Sequence, residues 1–322
     1  MKIFLLFLSF LIISCGQKKD TNTAKDDKST TGNSTDNAET DKKTIEKKEI
    51  GKDEIFLCRN FEDTLYLAES IDTMIDVNSA SEKLIKKYGS KDSYRLFSDS
   101  YKPEFKELTK VNIGDKFYVS SSKGVSETKV TGYMIYMPIG SFEFSPILET
   151  PKGTVYDTAQ YDRNIYVCSR SQSIGILSYT NVKDAAIEKN IKKTLDEFEK
   201  KIKPNKDPSV TKQESEIKIF LGNFTGSGKP EYAVSLKQST SFESFASCIA
   251  IMDADGKIIK ELQPFKPADY IYSEIEGIID VNGDGMNEIL ISTGYYEGGG
   301  YELWKYSAKG FEKMTEGFYE GA

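Results

Sequence analysis

The chain has 322 residues, a formal net charge of −7 from 43 basic and 50 acidic residues, and no histidine. The lack of histidine excludes Ser-His-Asp and Cys-His catalysis and imidazole zinc sites. The acidic excess is spread along the chain, which argues against a nucleic-acid partner because phosphate binding needs a basic face.

The chain begins with a signal-peptide pattern, in which Lys2 precedes an apolar run that is too short for the roughly 20 residues of a membrane-spanning helix. The run ends at residues 12–16, Ile-Ile-Ser-Cys-Gly, which resembles the bacterial lipobox. This resemblance implies that residues 1–14 are removed and that Cys15 carries lipid such as palmitate, so the protein is anchored to a membrane and does not span it. The alternative is an ordinary signal peptide with a chance cysteine.

Residues 15–53 are predicted to form the lipidated cysteine and a disordered tether. From residue 17 onward they are mostly Lys, Asp, Thr, Asn, Ser and Glu, with Ile45 and Ile50 the large apolar residues, so no core can form. A coil of this kind spans about 5–6 Å times the square root of its length and gives the body reach from the membrane. A spacer of no specific length is the alternative.

Residues 54–207 are predicted to form a β-rich domain, a small antiparallel barrel or sandwich. Its β-branched and aromatic runs, separated by turns, are typical of half-buried strands. These runs are 55–58, 63–67, 116–119, 129–136 and 164–168, and a short helix is predicted at 79–89. Cys58, Cys168 and Cys248 allow one disulfide with three possible pairings, or three buried thiols, and the sequence does not choose.

Residues 181–203 are predicted to form an amphipathic helix, because apolar residues recur there at steps of three and four. Pro204 and Pro208 then end the helix and mark a linker, which places a domain boundary near Asp207. A helix of this kind packs on its own sheet more often than on a partner.

Residues 208–322 contain two related segments, 217–232 and 275–291. The second segment has oxygen-bearing residues at alternate positions of a loop with two glycines, and a hard cation such as calcium binds six to eight oxygens in such loops. The candidate calcium ligands are Asp280, Asn282, Asp284, the carbonyl of Met286 and Glu288. The alternative is a self-capped turn in which the same side chains bond to their own backbone.

The loop is not an EF-hand, because the twelfth position, which must be a glutamate followed by a helix, is Ile291 in a predicted strand. It resembles the FG-GAP and VCBS repeats, with Glu288 at the acidic ligand position. This resemblance implies a propeller-like antiparallel sheet whose loops are stiffened by calcium. Only two copies are visible, whereas a closed propeller needs at least four blades.

The first copy places Asn223, Thr225, Ser227 and Glu231 where the second has its side-chain ligands. Three of these ligands are neutral, which weakens any cation site, so this copy is predicted to be a structural turn. Between the copies, residues 253–256 give a hairpin signal. After the second copy, four aromatic residues form either a stacking surface for a sugar or partner, or ordinary cross-strand packing. They are Tyr295, Tyr296, Tyr301 and Trp304.

The sequence as a whole therefore predicts a mainly β (α+β) protein with a barrel or sandwich domain, one amphipathic helix and a propeller-like sheet domain. We expect a lipid-anchored binding or interaction module of the cell envelope, at the outer membrane, the periplasmic face or the cell surface. The partner would be a protein or a glycan. The alternative function is a glycan-directed hydrolase with paired carboxylates, and the missing catalytic constellation favours a binding role over an enzyme.

Overall fold

The computed structural model describes residues 54–61, 64–68, 95–98, 109, 111–136, 143–151, 165–201, 215–239, 244–269, 271–295 and 298–320. The predicted signal peptide, Cys15, the predicted tether, the helix predicted at 79–89 and the boundary predicted near Asp207 lie outside these residues. All of the described residues belong to one compact unit of the chain, 47–322. The mainly β class is confirmed, with one helix among the described residues.

The first part of the body contains seven strands, each of which pairs with antiparallel neighbours. The strands are β1 (Ile55–Phe61), β2 (Thr64–Ala68), β3 (Arg95–Ser98), β4 (Lys116–Ser121), β5 (Gly124–Tyr136), β6 (Glu143–Leu148) and β7 (Ile165–Ser169). Six of them close into a barrel in the order β5-β4-β7-β1-β2-β6, because β6 also pairs with β5. Of the two predicted architectures, the structure is therefore the barrel.

Alternation along the barrel strands gives each strand an inner and an outer face. On β1, Phe56 and Cys58 point into the barrel core, whereas Ile55 and Leu57 pack outside it. Inside the barrel, Cys58 and Cys168 form a disulfide between neighbouring strands, 110 residues apart in sequence. In the chain-entropy model a link across such a loop stabilises the fold by about 4–5 kcal/mol.

Helix α1 (Ala185–Lys201) confirms the predicted amphipathic helix, although it starts later than the apolar pattern does. Asn181 and Val182 are held to the next strand by bonds with Ile219 (2.7 Å each), so the chain is still extended there. Asp184 then caps the helix, and its Oδ1 accepts hydrogen bonds from the amides of the second and third residues, at 2.9 and 3.2 Å.

The rest of the body consists of two four-stranded antiparallel sheets with the same strand-to-strand connections. The first sheet contains β8 (Ser215–Gly222), β9 (Glu231–Ser239), β10 (Ser244–Met252) and β11 (Ile258–Asp269). The second sheet contains β12 (Tyr272–Ile279), β13 (Glu288–Tyr295), β14 (Gly298–Ser307) and β15 (Gly310–Glu320). The hairpin predicted at 253–256 joins β10 to β11.

Three apolar layers hold the elements in a stack of helix, first sheet, second sheet and barrel. Ile191 and Leu195 of α1 pack on one face of the first sheet. The other face of that sheet packs on the second sheet, to which Ile289 and Ile291 of β13 contribute. Leu290, which lies between those two isoleucines, points the opposite way and packs against the outer face of the barrel. Alternation along β13 therefore supplies both interfaces.

Candidate functional site

Two loops occupy equivalent places in the two sheets. Loop 1 (residues 223–230) joins β8 to β9, and loop 2 (residues 280–287) joins β12 to β13. In each loop two glycines have left-handed backbone angles, with φ of 73° and 72° in loop 1 and 74° and 81° in loop 2. Such angles favour glycine, which gives both loops their tight turns. Each loop is followed directly by a buried glutamate, Glu231 or Glu288.

The two loops are hydrogen-bonded to each other. The Asn223 amide donates to Asn287 Oδ1 at 2.9 Å, and the Asn287 amide donates to the Asn223 carbonyl at 2.7 Å. The Asn223 side chain also donates to the Gly285 carbonyl at 2.7 Å. A change in the conformation of one loop therefore alters hydrogen bonds of the other.

Glu231 is surrounded by hydrogen-bond donors from its own loop. Its carboxylate accepts bonds from the amides of Phe224 and Thr225 at 2.8 Å each, and from the hydroxyls of Ser227 at 2.7 Å and Thr225. Burial alone would raise the pKa of Glu231, but the hydroxyl and amide donors outweigh burial and hold that pKa below its ordinary value. Loop 1 thus stabilises its buried charge without a cation.

Asp280 bonds to the backbone of loop 2. Its Oδ1 accepts bonds from the amides of Asn282, Gly283 and Asp284 at 3.3, 2.7 and 3.2 Å, and its Oδ2 accepts from Gly285 at 2.9 Å. This is the bonding expected of the self-capped turn.

Asp284 and Asn282 continue the same pattern. Asp284 Oδ1 accepts a bond from the Met286 amide at 2.8 Å, and the Asn282 side chain donates to Asp284 Oδ2 at 3.2 Å. Asn282 Oδ1 in turn accepts a bond from the Asp284 amide at 3.0 Å. Side-chain oxygens of alternate residues therefore line one short loop.

Glu288 has little of the support that Glu231 receives. It is 5% exposed, and the Val281 amide donates to its Oε2 at 3.0 Å. Burial raises the pKa of Glu288 to about 8; the bond from Val281 opposes this, and the charges of Asp284 and Asp280 add to it. At neutral pH the loop therefore disfavours a negative charge at the position where the repeat resemblance places a cation ligand.

The donor chemistry of loop 2 fits calcium, because the candidate ligands are all oxygens and three of them are carboxylates. A carboxylate oxygen has two lone pairs, so it can accept an amide bond and still bind a cation. In the described part of the chain, however, no group of three or more His, Cys, Asp and Glu side chains is placed to hold a metal ion. Calcium binding would require the acidic side chains of loop 2 to turn toward one point.

Two of the four aromatic residues predicted as a stacking surface, Tyr301 and Trp304, lie on opposite faces of the second sheet. Tyr301 packs with the apolar cluster between the second sheet and the barrel, whereas Trp304 packs with the cluster between the two sheets. The Trp304 indole donates to Glu302 Oε2 at 2.8 Å. Tyr295 is half-buried at the end of β13, and Tyr296 lies outside the described residues. Tyr301 and Trp304 therefore take the cross-strand packing role.

An ion-pair network that the sequence did not reveal joins the two sheets. Lys218 of β8 contacts Glu274 at 3.2 Å and Glu276 at 3.5 Å on β12, and Lys237 of β9 contacts Glu274 at 3.4 Å. Two neighbouring carboxylates are what a glycan hydrolase needs, but here a lysine from the facing sheet contacts both. The residues come from separate sheets, so no local sequence pattern predicts the network.

The three cysteines between residues 54 and 322 are in two states. Cys58 and Cys168 are disulfide-bonded, and Cys248 is a buried free thiol whose pKa burial raises to about 12. A thiol of this kind is unreactive, because the thiolate is the nucleophile. The pairing was open from sequence because the two strands meet only once the barrel closes.

Comparison of the chain with protein-family models, with curated proteins and with solved structures found no match. Among the described residues, no helix has the length and hydropathy needed to cross a membrane.

Proposed function

We propose that this protein is a lipid-anchored lipoprotein of the cell envelope that acts as a binding or interaction module. Its N-terminal sequence supports export and acylation of Cys15, and the polar segment that follows would act as a tether. The disulfide between Cys58 and Cys168 also supports export, because disulfides form and persist in oxidising compartments.

The proposed module contains a calcium-stiffened loop, loop 2, whose ligands are Asp280, Asn282, Asp284, the Met286 carbonyl and Glu288. The observation that carries this proposal is the surroundings of Glu288, which is buried near two aspartates and accepts a bond from the Val281 amide. A divalent cation supplies the positive charge that would stabilise all three carboxylates together.

Calcium would act structurally in this proposal. Loop 2 connects β12 to β13 and bonds to loop 1, so a cation there would hold the ends of both sheets in one arrangement. A fixed arrangement favours binding, because less conformational entropy is lost when a partner docks. The partner would be a protein or a glycan at the envelope.

Thermal unfolding with and without calcium tests the cation. We expect calcium at about one hundred times its Kd to stabilise the protein by about 2.7 kcal/mol, which raises Tm by roughly 5 °C or more. Asp284→Asn should abolish this rise, because it removes a charged ligand. The matched control is Asp255→Asn, which changes an exposed aspartate in the turn between β10 and β11. An unchanged Tm in the wild type, or an equal calcium response in both variants, would contradict the proposal.

Metabolic labelling with a fatty-acid analogue tests the anchor. Cys15→Ala should lose the label and leave the membrane fraction, because the acylated sulfur is gone. Cys248→Ala should keep both properties, since that thiol is buried in the body. Label retained by Cys15→Ala would show that the lipid is attached elsewhere. Membrane association of an unlabelled Cys15→Ala variant would show that the association has another cause.

A further inference from the structure

The segment that follows β7, residues 171–179, lies between loop 2 and the barrel, and we call it the bridging segment. On the side of loop 2, the Gly175 amide donates to the Asp280 carbonyl at 2.6 Å. Ser178 and Ile278 exchange two backbone bonds, at 2.9 and 3.0 Å. Gly283 also lies so close to Ser173 that a Cβ added to the glycine would stand 3.2 Å from the Ser173 carbonyl oxygen.

On the side of the barrel, the bridging segment is held by one buried hydroxyl. Ser120 of β4 is fully buried, and its Oγ donates to the Gly175 carbonyl at 2.6 Å and accepts from the Leu177 amide at 2.8 Å. Further along, the Tyr179 hydroxyl donates to the Ile165 carbonyl of β7 at 2.7 Å. The segment thus bonds to two neighbouring strands of the barrel.

Gly175 is the point at which these contacts meet. Its N–H bonds to the backbone of Asp280, and its C=O bonds to Ser120. Asp280 is also the residue whose carboxylate holds four amides of loop 2. A continuous chain of hydrogen bonds therefore runs from the outer face of the barrel at Ser120, through one peptide group, to the residue that organises loop 2.

We propose that the bridging segment couples the conformation of loop 2 to the barrel, with Ser120 as the positioning residue that transmits the coupling. Coupling of this kind is reciprocal. Loosening the segment at Ser120 therefore loosens loop 2, and ordering of loop 2 protects the segment and β4 from local opening. The bonds that carry the coupling are present without any cation; the calcium arm of the test rests on the function proposed above.

Amide hydrogen exchange measured by mass spectrometry on the full chain, in chelator, tests the coupling. We expect Ser120→Ala to speed exchange in peptides covering residues 280–286 by about threefold to tenfold, because both hydrogen bonds of the Ser120 hydroxyl are lost and part of that loss is transmitted to loop 2. The matched control is Ser121→Ala. Ser121 is also buried on β4, but its hydroxyl bonds within its own turn, to the Gly124 carbonyl and the Lys123 amide. Wild-type exchange at loop 2 in Ser120→Ala, or an equal change in both variants, would overturn the proposal.

Gly175→Ala provides a second test in case Ser120→Ala does not fold. A Cβ at this position would stand 3.0 Å from the Asp280 carbonyl oxygen, so loop 2 must shift away while the bonds of the Ser120 hydroxyl to the bridging segment stay available. We expect faster exchange in loop 2 and in β4 together. Faster exchange in loop 2 with β4 unchanged would refute the coupling.

Addition of calcium separates this inference from the proposed function. If both are correct, calcium slows exchange in loop 2, the bridging segment and β4 of the wild type, and in loop 2 alone in Ser120→Ala. If calcium slows exchange nowhere, the cation proposal fails, and the coupling is judged by the two variants in chelator. If calcium slows exchange in loop 2 but never in the bridging segment, the coupling fails and the cation site stands.

Discussion

Loop 1 and loop 2 connect the first two strands of their sheets, carry paired glycines with similar φ angles, and lead directly into a buried glutamate. They differ in what surrounds that glutamate. Glu231 receives two backbone amides and two hydroxyls, and its pKa lies below the ordinary value. Glu288 accepts a bond from the Val281 amide and lies near two aspartates, and its pKa rises to about 8.

Two loops with similar backbone angles therefore give their buried carboxylates different surroundings. Thr225 and Ser227 in loop 1 stand where loop 2 has Asn282 and Asp284, so hydroxyl donors in one loop correspond to an amide and a second carboxylate in the other. A loop with hydroxyl donors, such as loop 1, hydrogen-bonds its own buried glutamate. A loop with extra acceptors has spare lone pairs and excess negative charge, which are the properties of a cation site.

Matched glutamine substitutions should have opposite effects on stability. At pH 9 in chelator, we expect Glu231→Gln to lower the free energy of unfolding by about 2 kcal/mol, because the new NH₂ group faces donors that lose their acceptor. Glu288→Gln should stabilise the protein, because it removes a buried charge that the two aspartates repel. Urea denaturation measures both.

The two variants serve as controls for each other, since the substitution, the burial and the position in the sheet are the same. Equal destabilisation by Glu231→Gln and Glu288→Gln would mean that the two glutamates have the same role. The different surroundings of the two glutamates would then have no effect on stability.

The pH dependence of stability should also differ in sign. Glu231 has a folded pKa below its ordinary 4.5, so its contribution is present above pH 4.5 and is lost as the pH falls through the folded value. Glu288 has a folded pKa of about 8 against an ordinary 4.5, so its contribution is present below pH 4.5 and is lost as the pH rises to 8.

Unfolding free energies of the wild type, measured in chelator at several pH values and compared with each glutamine variant, isolate these contributions. The unfolding free energy of the wild type minus that of Glu288→Gln should fall as the pH rises from 4.5 to 8, and calcium should make this fall smaller. The unfolding free energy of the wild type minus that of Glu231→Gln should instead increase as the pH rises through the acid range. A flat difference for Glu288 in chelator would show that its surroundings do not disfavour the charge.

Much of the fold could be predicted from sequence, because the controlling interactions are local. β-branched and aromatic runs located five of the six barrel strands, all except β6, and the Asp-Gly turn at 253–256 located the hairpin of the first sheet. The helix was predicted from its periodicity, but its start was not, because Asn181 and Val182 bond to a strand far along the chain. Periodicity does not report such contacts.

The candidate site was predicted only in its residue types. The sequence placed oxygens at alternate positions of loop 2, and the structure shows them bonded to the loop backbone. The role of Ser120, the pairing of Cys58 with Cys168 and the contacts of Lys218 depend on segments that are distant in sequence. Tyr301 and Trp304 lie on opposite faces because they are three positions apart on one strand, and this spacing is visible in the sequence.

A crystal structure of the mature chain grown in calcium tests the central claim most directly. We expect an anomalous density peak in loop 2, about 2.3–2.6 Å from oxygens of Asp280, Asn282, Asp284, Glu288 and the Met286 carbonyl. We expect no peak in loop 1, where Thr225 and Ser227 still bond to Glu231. A loop 2 with no peak and with Asp280 still bonded to its four amides would contradict the claim.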